Sequence, residues 1–161
     1  MKAIRYHEHG GPEVLRYEEA PDPAPSAGEA LVRVRACALN HLDLWHRRGI
    51  PGVKTPLPMI GGSDISGEVI DPGSSDLAPG ARVMLQPGIS CGRCKACVTG
   101  RDNECRAYAV LGTRDLGGYA ELIKVPAVNL IPIPDHIGYV EAAAFPLTFL
   151  TAWHMLLTRA G

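Results

Sequence analysis

An excess of charge of either sign is missing: 16 lysines and arginines face 17 aspartates and glutamates, for a net charge of -1. The charges are scattered, so no long-range field gathers nucleic acid or an anionic membrane. Long hydrophobic runs are missing too. Crossing a bilayer takes roughly 20 apolar residues, and the most apolar stretch, 142–157, is broken by Pro146, Thr148 and Thr151. The first six residues, Met1 to Tyr6, alternate like a strand and lack the continuous apolar core of a signal peptide, so the chain reads as soluble and cytoplasmic. Nucleotide motifs are absent as well. Gly61-Gly62 and Gly117-Gly118 flank strand-like segments with no helix pattern after them, and there is no Gly-x-Gly-x-x-Gly or Gly-Lys-Ser/Thr. By itself the chain has no cradle for a dinucleotide pyrophosphate. Internal repeats and low-complexity segments are also lacking.

What is present fits one domain: 161 residues, 46% apolar. Fourteen prolines and 18 glycines, nearly all before Asp135, leave no room there for a helix longer than a few turns. Strands are predicted at 30–36, with Val32 and Val34 on one face and Arg33 and Arg35 on the other, and at 65–70, 82–86 and 119–125. Several short strands with frequent turns suggest a closed or nearly closed barrel. After Asp135 the pattern turns helical. Gly138 to Glu141 makes a helix start with an acid at the third position, Pro146 interrupts, and 147–159 forms a second piece. Phe149, Ala152, Trp153 and Leu156 give that piece an apolar stripe that needs a partner. The predicted division is 1–136 for the barrel, with a lobe at about 87–110, and 137–161 for the helical segment.

Five cysteines in a chain read as intracellular argue against a disulfide framework, which makes metal binding the first alternative. Cys91, Cys94 and Cys97 are spaced by three, and Cys105 follows eight later across Gly100 and Asp102-Asn103. Four thiolates close a tetrahedral zinc site and leave no position for water, so such a site holds a loop and does no chemistry. Arg93, Lys95, Arg101 and Arg106 stand ready to offset its charge. The alternatives are disulfides, reduced thiols or an iron–sulfur cluster, although ferredoxin spacing would bring the fourth cysteine sooner and follow it with proline. Cys37, in an apolar strand segment, reads as a small core residue.

The cysteine lobe resembles the structural zinc lobe of the medium-chain dehydrogenases/reductases, the superfamily of zinc alcohol dehydrogenases and quinone oxidoreductases. Ala38-Leu39-Asn40-His41-Leu42-Asp43, Gly62-Ser63-Asp64-Ile65-Ser66-Gly67, Gly117-Gly118-Tyr119-Ala120-Glu121 and Ala142 to Thr148 follow that family's N-terminal domain in order and approximate spacing. The resemblance implies a mainly β fold, a partly open GroES-like barrel with a C-terminal helix, followed in complete enzymes by a Rossmann domain. It also implies where a catalytic zinc would bind, and those positions hold Asn40, Ser63 and Ala144. None is a good zinc ligand, and a catalytic zinc normally takes three. Nearby, Asp64 replaces a glutamate and alone would hold metal only weakly.

Asn40 with Asp43 is similar instead to the branch without catalytic zinc, the quinone and enoyl reductases, in which a nicotinamide passes hydride to a conjugated carbonyl. On that resemblance Asn40 donates to the substrate carbonyl or the nicotinamide ribose. His41 approaches the cofactor pyrophosphate, Asp43 holds the loop or ribose, and Thr148 packs on the nicotinamide. Each has a plainer reading: Asn40 ends the strand, His41 is surface, Asp43 caps the next helical turn, and Thr148 bonds within its own helix. Trp45 and His46 could line a substrate cleft, but an aromatic in an apolar run is more often core. The implied cofactors are one structural Zn2+ and, through the Rossmann domain, NAD(P)(H). The implied partners are a small carbonyl, quinone or alcohol substrate and a second copy of the protein. Two further readings stay open: a non-catalytic zinc-stabilised assembly domain, and a zinc alcohol dehydrogenase with altered ligands.

Overall fold

Period-two alternation of small apolar and charged residues builds most of the fold. The computed structural model describes residues 1–114 and 116–160. Among them the strands are β1 (Lys2–Tyr6), β2 (Arg16–Glu19), β3 (Glu29–Ala38), β4 (Met59–Ile60), β5 (Asp64–Asp71), β6 (Arg82–Leu85), β7 (Gly88–Ile89), β8 (Ala109–Val110), β9 (Leu122–Pro126) and β10 (Leu130–Pro132). The helices are α1 (His41–Arg48), α2 (Lys95–Val98), α3 (Tyr139–Ala143) and α4 (Pro146–Trp153). The main sheet runs β10-β6-β5-β3-β9, with every pairing antiparallel. Its edge strands do not pair with each other, so the barrel stays partly open. A second sheet, β2-β1-β4, leans on it through an Ala3–Ala120 bridge and the Ile4 N–H, which donates to the Tyr119 carbonyl at 2.7 Å.

The core lies inside the main sheet. Val32, Ile65, Val83, Leu85, Leu111, Ile123 and Val125 are fully buried in one cluster, each side chain contributing roughly 1.5–3 kcal/mol by leaving water. Arg33 and Arg35 point outward as their alternation requires, while Val34 is half-buried. The strand predicted at 119–125 begins only at Leu122, because Gly117, Gly118 and Tyr119 bond to the Gly61-Gly62 segment and to Ile60 instead.

In β5 the apolar face, Ile65 and Val69, enters the core, but the opposite face of Asp64, Ser66 and Glu68 is not left to solvent. The Ser66 hydroxyl donates to the Tyr139 carbonyl at 2.6 Å and the Tyr139 hydroxyl to Glu68 at 3.1 Å. The Leu147 N–H donates to Asp64 Oδ1 at 2.6 Å. These polar rungs dock α3 and the start of α4, aided by the buried Ala142 and Ala143.

Gly138 caps α3 and Glu141 takes its third position, as read from sequence. Pro146 then sits at the first position of α4, where its missing N–H leaves no bond unmade. The helical piece expected at 147–159 is α4 followed by a π-helical turn, His154–Arg159. Its stripe is exposed, Trp153 by 66%, and flanks a groove of about 700 Å³ lined also by Met84, Ile131 and Phe145. Among the described residues no helix is long and apolar enough to cross a membrane. Beyond the turn that Asp43 caps, helix α1 was not read from sequence, since its two turns bury His46 and Arg47 instead of an apolar stripe. Trp45, expected in the core, is 55% exposed.

Candidate functional site

The lobe between β7 and β8 brings its four thiols together. Cys91 precedes a tight turn, Cys94 caps α2, Cys97 lies within it, and Cys105 follows a 3-10 turn at Asp102–Glu104. The Arg101 N–H closes the loop onto the Ala96 carbonyl at 2.8 Å. All four sulfurs lie within 4.8 Å of one another, with Cys94–Cys97 at 3.4 Å and Cys91–Cys97 at 3.9 Å, and none is in a disulfide. A zinc with Zn–S bonds of about 2.3 Å sets sulfurs about 3.8 Å apart at tetrahedral corners, so the cluster fits a structural zinc. Backbone N–H groups of Arg93 and Cys94 aimed at the Cys91 sulfur bring its pKa down to about 6, and a Ser90 contact lowers that of Cys97. Between 91 and 108 only Cys105 is buried. The lobe therefore has no apolar core of its own, and its stem is held by Asn129, whose Nδ2 donates to the Gln86 and Gly88 carbonyls, each at 2.7 Å.

Of the three positions at which the resemblance would put a catalytic zinc, two are engaged in hydrogen bonds and the third is an alanine. Asn40 Nδ2 donates to Asp64 Oδ2 at 3.0 Å. The fully buried Ser63 hydroxyl donates to the Leu111 carbonyl at 2.7 Å, and Ala144, at the end of α3, offers no ligand atom. Among the described residues the four cysteines are the one group of three or more Cys, His, Asp or Glu side chains that converges. Asp64 is 1% exposed; burial pushes its pKa up, and the donors from Asn40 and Leu147 pull it back.

Asp43 accepts from the Asn40 N–H at 2.8 Å and from the Gly62 N–H at 2.9 Å, which closes the first turn of α1 and ties it to the Gly61-Gly62 loop. That loop needs glycine. Gly62 has φ +95°, and a Cβ on it would lie 2.7 Å from Cys37 Sγ; a Cβ on Gly117 would meet the Gly61 carbonyl at 2.2 Å. These glycine pairs serve backbone-to-backbone packing. His41 is exposed, with its ring 6.1 Å from that of Trp45. Thr148 is exposed and its hydroxyl donates to the Ala144 carbonyl at 2.8 Å, within its own helical segment. Asn40, Asp43, Asp64 and the first turn of α4, which carries Thr148, thus meet at one place.

The sequence reading passed over a mostly apolar pocket behind α1. A cavity of about 210 Å³ is lined by Tyr6, Cys37, Asp43, His46, Arg47 and Tyr119 among others. The Tyr6 and Tyr119 hydroxyls and His46 Nδ1 are buried there without a well-formed hydrogen bond among the described residues, although the Asp43 carboxylate is near enough to Tyr119 to add to the rise in its pKa that burial causes. Burial also keeps His46 below the ordinary histidine range. Residues 6, 46 and 119 lie too far apart in sequence for any local pattern to join them.

Residues 26–135 match the model of the alcohol dehydrogenase GroES-like domain family. An alcohol dehydrogenase of Geobacillus stearothermophilus is 35% identical over 160 residues, covering 97% of this chain and 47% of the relative. An L-threonine 3-dehydrogenase of Rhizobium etli is 33% identical over 135 residues, covering 81% and 39%. Among solved structures, an NAD-dependent alcohol dehydrogenase superposes with TM-score 0.94 at 47% identity, over 99% of this chain and 47% of that one. A cobalt- and zinc-bound thermostable alcohol dehydrogenase of Pyrobaculum aerophilum gives 0.88 at 35%, over 98% and 48%. The chain spans about half the length of the curated relatives it matches.

Proposed function

Because this chain belongs to the family of alcohol dehydrogenase GroES-like domains, we propose that it is the catalytic domain of an NAD(P)(H)-dependent reductase with a structural zinc and no catalytic zinc. One observation supports the reading: at the positions that the resemblance assigns to metal ligands, Asn40 and Ser63 are already bonded to Asp64 and to the Leu111 carbonyl, and the third is Ala144. Residues 1–136 are the barrel with its lobe, and 137–161 leads toward a nucleotide-binding half that carries the Gly-x-Gly-x-x-Gly turn this chain lacks.

Cys91, Cys94, Cys97 and Cys105 hold one Zn2+. The nicotinamide, when bound, supplies hydride to a small carbonyl, quinone or enone. Asn40, with one N–H given to Asp64, keeps its other N–H for the substrate oxygen and steadies the negative charge that grows there. Asp43 acts by holding the start of α1, and the exposed Thr148 and His41 would help to hold the nicotinamide cofactor, which would supply the hydride. The exposed stripe on α4 gives the missing half, or a second copy, an apolar surface to cover.

The test is metal content and turnover of the whole protein with 2-cyclohexenone or benzyl alcohol, each with NADH/NADPH or NAD+/NADP+ as the direction requires. The expected result is one zinc per chain and reduction of the enone that survives a chelator, with Asn40→Ala at least about 100-fold slower, the scale of losing a donor to a developing oxyanion. Two zincs per chain with chelator-sensitive oxidation of benzyl alcohol would establish an alcohol dehydrogenase with altered ligands instead.

A further inference from the structure

The reading of Asn40 leaves unexplained a carboxylate buried beside it. Asp64 heads β5, is 1% exposed, and has no lysine, arginine or histidine within ion-pair distance among the described residues. Burying a carboxylate without a counter-charge is costly unless both oxygens are hydrogen-bonded. Here each has one donor: Oδ2 takes Asn40 Nδ2 at 3.0 Å, and Oδ1 takes the Leu147 N–H at 2.6 Å. Those donors come from the N-cap of α1 and the first turn of α4. One carboxylate therefore spans the two elements that carry Asn40 and Thr148.

Its chemistry also fixes which way the amide of Asn40 faces. An ionised carboxylate accepts only, so the NH2 end must turn toward Asp64. The Asn40 backbone is fixed separately, its N–H bound to Asp43. Side chain and main chain are thus clamped by two different acids. The Asn40 side-chain oxygen faces the Asp43 N–H in the capping box that opens α1, and its second N–H is left for a ligand.

We infer that Asp64 is a positioning residue for hydride transfer: it orients the Asn40 amide and pins the first turn of α4 beside it, acting through Asn40 without touching the substrate. The inference rests on the proposed role of Asn40. Asparagine at 64 would keep the shape and lose the function, since one amide oxygen cannot serve both donors and its NH2 would face either Asn40 Nδ2 or the Leu147 N–H.

The experiment is a double-mutant cycle in the whole protein with 2-cyclohexenone, reading kcat and KM separately, with thermal unfolding as the fold control. Asp64→Asn is expected to lower kcat tenfold or more with little change in KM, and to cause no further loss in an Asn40→Ala background. In the folded wild type the two Asn40 side-chain amide protons should give separate, slowly exchanging NMR signals that coalesce or shift in Asp64→Asn. If Asp64→Asn does not fold, Asp64→Glu, which keeps the charge but moves it by one methylene, is read in the same cycle. Losses that multiply in the double variant, or an unaffected kcat in Asp64→Asn, overturn the inference and leave Asn40 standing. An Asn40→Ala enzyme with full turnover, or an enzyme that does not reduce the enone, overturns the Asn40 reading and this inference with it.

Discussion

Replacing Cys105 by serine should melt the cysteine lobe and leave the barrel intact. The magnitude follows from what holds the lobe without metal. Between 91 and 108 no side chain other than Cys105 is buried. Its one α-helix, α2, has four residues, and a first helical turn alone is disfavoured by about a thousandfold. Metal-free, the lobe's opening free energy is therefore near zero or negative. Zinc binding in small zinc domains is worth on the order of 10–16 kcal/mol, at or above the roughly 5–15 kcal/mol of a whole domain. With zinc, the lobe amides should open only when the domain unfolds. Amide hydrogen exchange reads the difference: the N–H groups of Val98, Thr99, Arg101 and Cys105, bonded to the carbonyls of Cys94, Lys95, Ala96 and Asp102, should exchange at least about a thousandfold faster in Cys105→Ser, since every 1.4 kcal/mol is tenfold. Amides of β3, β5 and β9 should be unchanged within a few-fold, and bound zinc should fall from one per chain toward none. A well-folded wild type free of zinc, or a Cys105→Ser lobe that keeps its protection, would refute the reasoning.

Truncating Ile123, 1% exposed in the main core, to alanine should cost roughly 2–5 kcal/mol, seen as a lower urea midpoint at unchanged m-value; a loss below about 1 kcal/mol would mean the strands repack around the gap. Gly117→Ala places a Cβ 2.2 Å from the Gly61 carbonyl and should destabilise by at least about 2 kcal/mol by thermal unfolding, the cost of forcing atoms into a packed site. The Arg35 guanidinium beside Glu68, with the Tyr139 hydroxyl, holds that carboxyl below its ordinary 4.5. A depressed carboxylate contributes stability that is present above 4.5 and lost as pH falls through the folded value, so Glu68→Gln should flatten the acid limb of the stability–pH curve. An equally steep limb in the variant would show that other carboxylates set it.

How much of this was legible depended on how local the signal was. The cysteine spacing, the alternation of Val32 against Arg33, the Gly138–Glu141 start and the break at Pro146 are each written within a few residues, and each has its counterpart in the fold. Strands β4, β7 and β8, two residues apiece, are too short to carry a period and exist only because a neighbour pairs with them. Of helix α1 only the cap by Asp43 was legible, because its stability comes from the capping box of Asn40 and Asp43 and not from an apolar stripe. Trp45 was misplaced by the general rule that aromatics are buried. Asp64 could be seen only as a departure from a family glutamate, since its partners lie 24 residues before it and 83 after.

On the proposed reading, that last case bears on how such a barrel would keep a defined cleft without a catalytic metal. A catalytic zinc fixes several side chains at one point by bonding them all, and deleting its ligands would ordinarily free the elements that carried them. Here β5 presents Asp64, Ser66 and Glu68 on one face, and each bonds to the helical segment. Ser66 and Glu68 seat α3 whether or not the first rung is present. Asp64 then needs only to bring α1 and α4 together, a task for two hydrogen bonds of 3.0 and 2.6 Å. The consequence is asymmetric: loss of Ser66 or Glu68 should show chiefly as stability, whereas loss of Asp64 should show chiefly as misplacement of Asn40, because α3 remains seated while the amide it served turns free.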